Sequence, residues 1–221
     1  MTKITAMKKY LAELVGTFAL VFFGTGAILV DQSTGGSLGL VGIALAFGIT
    51  VIAMIYSFGL VSGAHINPVV TVSFWLGKTI QGNVVLGYLI AQFLGAIVAS
   101  FLLRLLFPAS TTMGATLPSG SALESFVIEL VFTFLLVLTI IVVSSNKRTA
   151  RYTGLVVGCV LIGIILITGP ISGGSFNPAR SVAPVLFSGN YSSLWIYLTA
   201  PMLGGIAAMG LWRVVFRMKG H

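Results

Sequence analysis

Few side chains in this protein can do polar chemistry, which makes each one conspicuous. Of 221 residues, 12 are Lys or Arg and 4 are Asp or Glu, while 57% are hydrophobic. Glu13, Glu129 and Arg180 all fall inside apolar stretches, and so do two Asn-Pro pairs, Asn67-Pro68 and Asn177-Pro178. His65 precedes the first pair, and the second histidine, His221, is terminal, so the residues spell no metal site. Ser62 and His65 are close in sequence, yet no His-Glu-x-x-His or Gly-x-Ser-x-Gly pattern accompanies them, and hydrolysis is not expected. The lone Cys159 excludes a disulfide framework and reads as a small core residue.

The chemistry these residues can do is that of a passage. An arginine inside apolar sequence is costly and usually functional; it can donate to a passing solute and repel cations, the alternative being an interfacial arginine reaching for water. Asn is a strong helix N-cap and Pro is favoured at the first helical position, so each Asn-Pro pair starts a helix. Such an N-terminus carries roughly half an elementary positive charge. Two of them meeting would repel cations. Glu13 and Glu129 fit acceptors for backbone N–H groups that lack helical partners, with a proton relay as the rival reading.

These groups need a scaffold, and the composition names it. Charged residues make up 7% of the chain, against about 25% in an ordinary soluble domain. That excludes a soluble globule and disorder, and leaves an integral membrane protein. Six runs are long and apolar enough to span: Tyr10–Val30, Leu40–Val61, Val84–Leu106, Ser125–Val143, Thr153–Ile167 and Leu194–Val215. Two shorter pieces, Ile66–Leu76 and Phe176–Phe187, carry the Asn-Pro pairs and read as re-entrant half-helices. The first span follows Lys3, Lys8 and Lys9 as a signal peptide would, but its length and Glu13 favour a retained helix.

The net charge of +8 is a topology signal rather than a nucleic-acid one. Lys3, Lys8, Lys9, Lys78, Lys147, Arg148, Arg151, Arg213, Arg217 and Lys219 fall on one side, leaving Arg104 and Arg180. Both termini are therefore expected in the cytoplasm.

The halves also repeat. Tyr88–Arg104 aligns without gaps to Tyr197–Arg213, with nine of 17 positions identical. Glu13-Leu-Val-Gly-Thr-Phe matches Glu129-Leu-Val-Phe-Thr-Phe, and Ser62-Gly-Ala-His-Ile-Asn-Pro68 matches Ser172-Gly-Gly-Ser-Phe-Asn-Pro178. Three spans per repeat is an odd number, so the copies must be inverted about an axis in the membrane plane. The expected fold is an all-α membrane protein of six spans and two half-helices. It forms one channel domain over 1–221, with repeats over about 8–106 and 124–217. Small residues at Gly87, Ala91, Gly95, Ala99 and at Ala200, Gly204, Ala208 would let helices approach closely.

The two boxes with Arg180, and the paired Glu13 and Glu129, resemble those of the aquaporin (major intrinsic protein) family across essentially the whole chain. The resemblance implies a homotetramer in the cell membrane with one pore per subunit. It implies passive conduction of water, with some small uncharged solutes such as glycerol, and exclusion of protons and ions. No cofactor and no enzymatic activity follow from it. The alternatives are a channel chiefly for glycerol, metalloid hydroxides, ammonia or dissolved gases, and an ion-coupled transporter, for which only Glu13 and Glu129 could serve.

By that resemblance Asn67, Pro68, Val69, Asn177, Pro178 and Ala179 form the pore centre, and His65 lines the cytoplasmic side. Val69 replaces the usual Ala, placing two extra methyl groups where the half-helices should meet. The narrow outer filter falls on Phe47, Ile165, Gly174 and Arg180, which lie 20 residues before Asn67, and 12 before, three before and three after Asn177. Strict water channels carry His at the place of Ile165, and glycerol facilitators an Asp at that of Ser181; the filter here falls between, nearer archaeal water channels and plant-type channels that pass metalloid hydroxides. Carbonyls of the Gly173–Gly174 stretch would complete its polar wall.

Overall fold

The computed structural model describes residues 5–216; Lys3, Arg217, Lys219 and His221 lie outside them. Eight α-helices follow one another: α1 (Ala6–Ser33), α2 (Gly39–Ser62), α3 (Pro68–Leu76), α4 (Gly82–Leu106), α5 (Ala122–Ser145), α6 (Thr153–Ser172), α7 (Pro178–Ser188) and α8 (Leu194–Leu211). A 3₁₀ turn, Ala150–Tyr152, leads into α6, and a π-helical turn, Trp212–Phe216, extends α8. Six segments are long and apolar enough to cross a membrane, while α3 and α7 have 9 and 11 residues. The fold is the six spans and two half-helices that the sequence implies.

Local chemistry explains the boundaries. Thr5 and Ser121 cap α1 and α5 by accepting from the N–H groups of Lys8 and Glu124. Asp31 accepts from the N–H groups of Leu38 and Gly39 at 3.0 and 2.8 Å, covering donors at the start of α2. Gly63 and Gly173 end α2 and α6 in the left-handed region, at φ 91° and 80°.

Two boundaries are sharper than the apolar runs alone give. First, α6, whose apolar run is short for a span and open to extension at either end, continues five residues past Ile167, through Pro170. Its last carbonyls are satisfied from outside, because the Ser119 hydroxyl donates to Pro170 O at 2.8 Å and the Ser119 N–H to Ile171 O at 2.9 Å. Second, the half-helices begin at Pro68 and Pro178, as the Asn-Pro starts imply, two residues inside the apolar pieces Ile66–Leu76 and Phe176–Phe187. Ile66 and Phe176 are left-handed, at φ 44° and 54°, and belong to the incoming loops.

The helices pair with the symmetry of the repeat. α1 packs on α4 and α5 on α8, and α2 crosses α6. A Cβ on Gly95 would overlap the Leu14 carbonyl, and one on Gly204 the Leu130 carbonyl. Close backbone contact of this kind holds helices together where lipid gives no hydrophobic drive. Gly48 and Gly158 face each other's carbonyls where α2 meets α6, so the two-fold relation passes through that crossing. Each half-helix packs on a long helix of the other repeat, α3 on α8 and α7 on α4, which locks the halves together.

Candidate functional site

Between α2 and α3, and between α6 and α7, the backbone leaves the helix for five residues inside a buried region. Its N–H groups must find acceptors there, because an unpaired buried N–H costs about 1–3 kcal/mol. Glu13 and Glu129 supply them. The Glu13 carboxylate accepts from the N–H of His65 (2.9 Å) and of Ile66 (2.7 Å), and from Ser62 Oγ (2.6 Å) and Gln92 Nε2 (2.8 Å). Glu129 accepts from the N–H of Ser175 and Phe176, both at 2.8 Å, and from Ser172 Oγ at 2.9 Å. Tyr88 and Tyr197 then donate to the carbonyls of Ser62 and Ser172, each at 2.7 Å. These tyrosines and Gln92 stand in the aligned segments, but only the folded loops reveal their partners.

The loops deliver two asparagines. Asn67 Oδ1 accepts from the Val69 N–H at 2.9 Å, and Asn177 Oδ1 from those of Ala179 and Arg180 at 3.0 and 3.4 Å. Each oxygen thus caps its half-helix. The amide nitrogens cross over: Asn67 Nδ2 donates to Phe176 O at 2.8 Å, and Asn177 Nδ2 donates to Ile66 O at 2.9 Å. A side-chain amide has two N–H donors, so each keeps one for another acceptor.

Both asparagines line one cavity of about 390 Å³, together with Phe47, Ile165, Gly174, Arg180 and His65. Pro68, Val69, Pro178, Ala179, Gly173, Glu13 and Glu129 do not line it; they lie behind the wall and shape it. Val69 departs from expectation. Its side chain is fully buried in a cluster with Val137, Ile141, Ala208 and Met209, facing Gly205 of α8 rather than the opposite half-helix. Its extra methyl groups therefore stay out of the passage.

Arg180 is 1% exposed. Its Nη1 donates to the Gly114 carbonyl at 2.8 Å, and its guanidinium carbon stands 5.3 Å from the centre of the Phe47 ring. The Phe47 ring fills the space over Gly24. Gly114 belongs to the connection between α4 and α5, where Met113 and Gly114 are both left-handed, at φ 52° and 66°. Thr116 of the same connection bonds Ser181 at 2.8 Å, and Ser181 also bonds Ser175. Sequence reasoning gave this connection no role, since it carries no periodicity and no charge.

His65 is buried. Its Nδ1 is 3.1 Å from Thr71 Oγ1, and its ring stacks on Phe74 and meets the edge of Tyr88. Gln92 Nε2 reaches the same threonine oxygen at 2.8 Å. In the second repeat the matching places hold Ser175, Ser181 and Pro201, so a pair of serine hydroxyls stands where histidine and threonine meet, and the ring and the glutamine amide belong to the first repeat only. Cys159 corrects another expectation: it is exposed on the outside of α6 and does not line the cavity.

The sequence and the fold also match those of known proteins. The major intrinsic protein family model matches residues 1–212. The protein is 41% identical over 208 residues to Aquaporin NIP1-1 of Zea mays, covering 93% of this chain and 73% of that one. It is 36% identical over 217 residues to Nodulin-26 of Glycine max, covering 97% and 80%. The X-ray structure of the aquaglyceroporin from Plasmodium falciparum shares the fold, with a TM-score of 0.86 over 96% of this chain and 97% of that one at 24% identity.

Proposed function

Since the chain belongs to the major intrinsic protein family, it is a passive membrane channel for water and small neutral solutes, not an enzyme, and we propose that Asn67, Asn177 and the ring of Phe47, Ile165, Gly174 and Arg180 carry that conduction. The observation that carries the proposal is the reciprocal exchange of Asn67 and Asn177 across two half-helix N-termini. Each amide keeps one donor, so a water oxygen passing between them accepts from both. That water is turned so that it cannot also accept a proton from its neighbours in file. The two N-terminal dipoles and Arg180 add positive potential, which repels cations and protons.

The ring sets the solutes. Phe47 and Ile165 give an apolar wall, and Arg180 a donor opposite. With Ile165 at the place where a strict water pore has His, the ring costs less desolvation for a solute with an alkyl side and hydroxyl groups. Glycerol-sized molecules then follow water, more slowly. The protein spans the membrane several times; we place it in the cell membrane as a homotetramer with both termini cytoplasmic, on the basis of its basic rim and of the resemblance. One domain over 1–221, built of repeats 8–106 and 124–217, accounts for the symmetric contacts.

The test is stopped-flow of proteoliposomes with water and glycerol gradients. Both fluxes should exceed those of empty vesicles, and Ile165→His should suppress glycerol flux more than water flux. Equal suppression of both, or complete exclusion of glycerol by the unmodified protein, contradicts the assignment of the ring.

A further inference from the structure

The inverted repeat gives each filter residue a partner on the other side of the Asn pair. Asn67 and Asn177, Ser62 and Ser172, and the facing glycines Gly48 and Gly158 all stand 110 residues apart and make equivalent contacts. The same step carries Phe47 to Val157, Ile165 back to Ile55, Gly174 back to Ala64 and Arg180 back to Val70. All four of these counterparts line the same cavity as the filter itself. Ala64 keeps even the backbone of its counterpart: it is left-handed at φ 47°, as Gly174 is at 57°.

We propose that Ile55, Ala64, Val70 and Val157 form a second constriction, the two-fold counterpart of the outer filter, and that it selects solutes by size and desolvation alone. The proposal rests on the channel reading above. Its chemistry differs from that of the outer ring at one decisive place. Where Arg180 offers a donor, the counterpart is Val70, so the inner ring is four aliphatic side chains. A solute with several hydroxyl groups exchanges water for Arg180 at the outer ring. At the inner ring its hydroxyls have only the loop groups beside Ala64, chiefly Ser62 and His65, which line the cavity there. An apolar constriction of this kind passes water in file but holds back solutes that must shed more hydration.

The ring is also stiff. Three of its four members are β-branched, and such side chains in a helix are held to one dominant rotamer. Val70 and Val157 are each 3% exposed, and Val157 packs in the central cluster with Phe47 and Ile165, against which Ile55 also lies. Its side chains are therefore held in place by packing.

The experiment compares glycerol and water fluxes in proteoliposomes for Val157→Phe, which copies Phe47 onto the inner ring, and for Ile55→Ala, which opens it. Val157→Phe should lower the glycerol-to-water ratio about tenfold, because the narrower ring makes the solute shed about one more hydrogen bond to water. Ile55→Ala should raise the ratio, and more for a four-carbon polyol than for glycerol. The two variants move the ratio in opposite directions, so if Val157→Phe fails to assemble, Ile55→Ala alone still decides. Water flux with an unchanged ratio in whichever variants fold overturns the second ring and leaves the channel standing. Absence of water flux through the unmodified protein overturns the channel reading, and the ring with it.

Discussion

Val69 lies against Gly205, so closely that a Cβ on the glycine would overlap the Cγ1 atom of the valine. Gly205 is the repeat counterpart of Ala96, which shares a buried cluster with Ala179. One repeat thus fills the contact between half-helix and long helix with Ala and Ala, the other with Val and Gly. The larger residue in the first box is matched by the smaller one on α8, and the Asn donors keep their places.

That match predicts a coupled pair. Gly205→Ala alone should destabilise the protein by about 1–3 kcal/mol through overpacking. Adding Val69→Ala should recover most of the loss, since it rebuilds the Ala–Ala contact of the other repeat. Thermal unfolding of the four proteins in detergent measures the coupling, expected at about 0.5–3 kcal/mol. Strictly additive effects would mean that the two side chains do not touch.

Glu13 and Glu129 hold the loops, and removing their second oxygen should show it. Glu129→Gln presents an NH₂ group to one of the two N–H donors of Ser175 and Phe176. The expected cost is about 1–3 kcal/mol in unfolding free energy, with reduced water flux as Asn177 loses its position. Glu13→Gln should behave alike, because its contacts are equivalent. If both variants keep full stability but conduct protons differently, the carboxylates are relays and not supports.

Gly114 anchors Arg180 through its carbonyl. Gly114→Ala demands φ near 66° from a residue with a Cβ, which would also press on the Thr25 methyl group. The left-handed conformation alone costs about 1–2 kcal/mol, so the connection should shift and loosen the guanidinium. The glycerol-to-water ratio should change while the Asn pair still passes water. An unaltered ratio would show that Arg180 holds its place without this carbonyl.

Mercurials provide a test of placement. The only thiol, Cys159, faces away from the cavity, so water flux through the unmodified protein should resist them. Gly174→Cys puts a thiol in the ring; it carries the backbone cost of φ 57°, but a Cβ finds ordinary contact distances, the nearest being 3.4 Å to Thr168 Oγ1. Ala64 already carries a Cβ at the equivalent backbone angle. Flux through that variant should fall with mercurials and return with a reducing agent. Strong inhibition of the unmodified protein would place Cys159 on the pore.

The fold was legible because bilayer physics leaves few options: six apolar runs, two Asn-Pro starts and an odd-numbered repeat admit little else. The supporting role of Glu13 and Glu129 was legible for the same reason, as buried loops need acceptors. What escaped had no periodic signature. Helices apolar on every side do not show which face meets lipid, so Cys159 reads as a core residue in the sequence and lies outside in the fold. The connection bearing Gly114 and Thr116 is irregular, and its partners Arg180 and Ser181 are over 60 residues away. The orientation of Val69 depends on the crossing of α3 with α8, which no single segment encodes.

The central claim is that water crosses between Asn67 and Asn177 while protons do not. Its most direct measurement follows osmotic water efflux and proton leakage in the same proteoliposomes, the second through an internal pH dye under an imposed potential. The account predicts water permeability well above that of empty vesicles, with a temperature dependence close to that of water diffusion, and proton leakage no greater than in empty vesicles. Proton flux rising in step with the amount of protein, or water permeability equal to that of the bare bilayer, would contradict it.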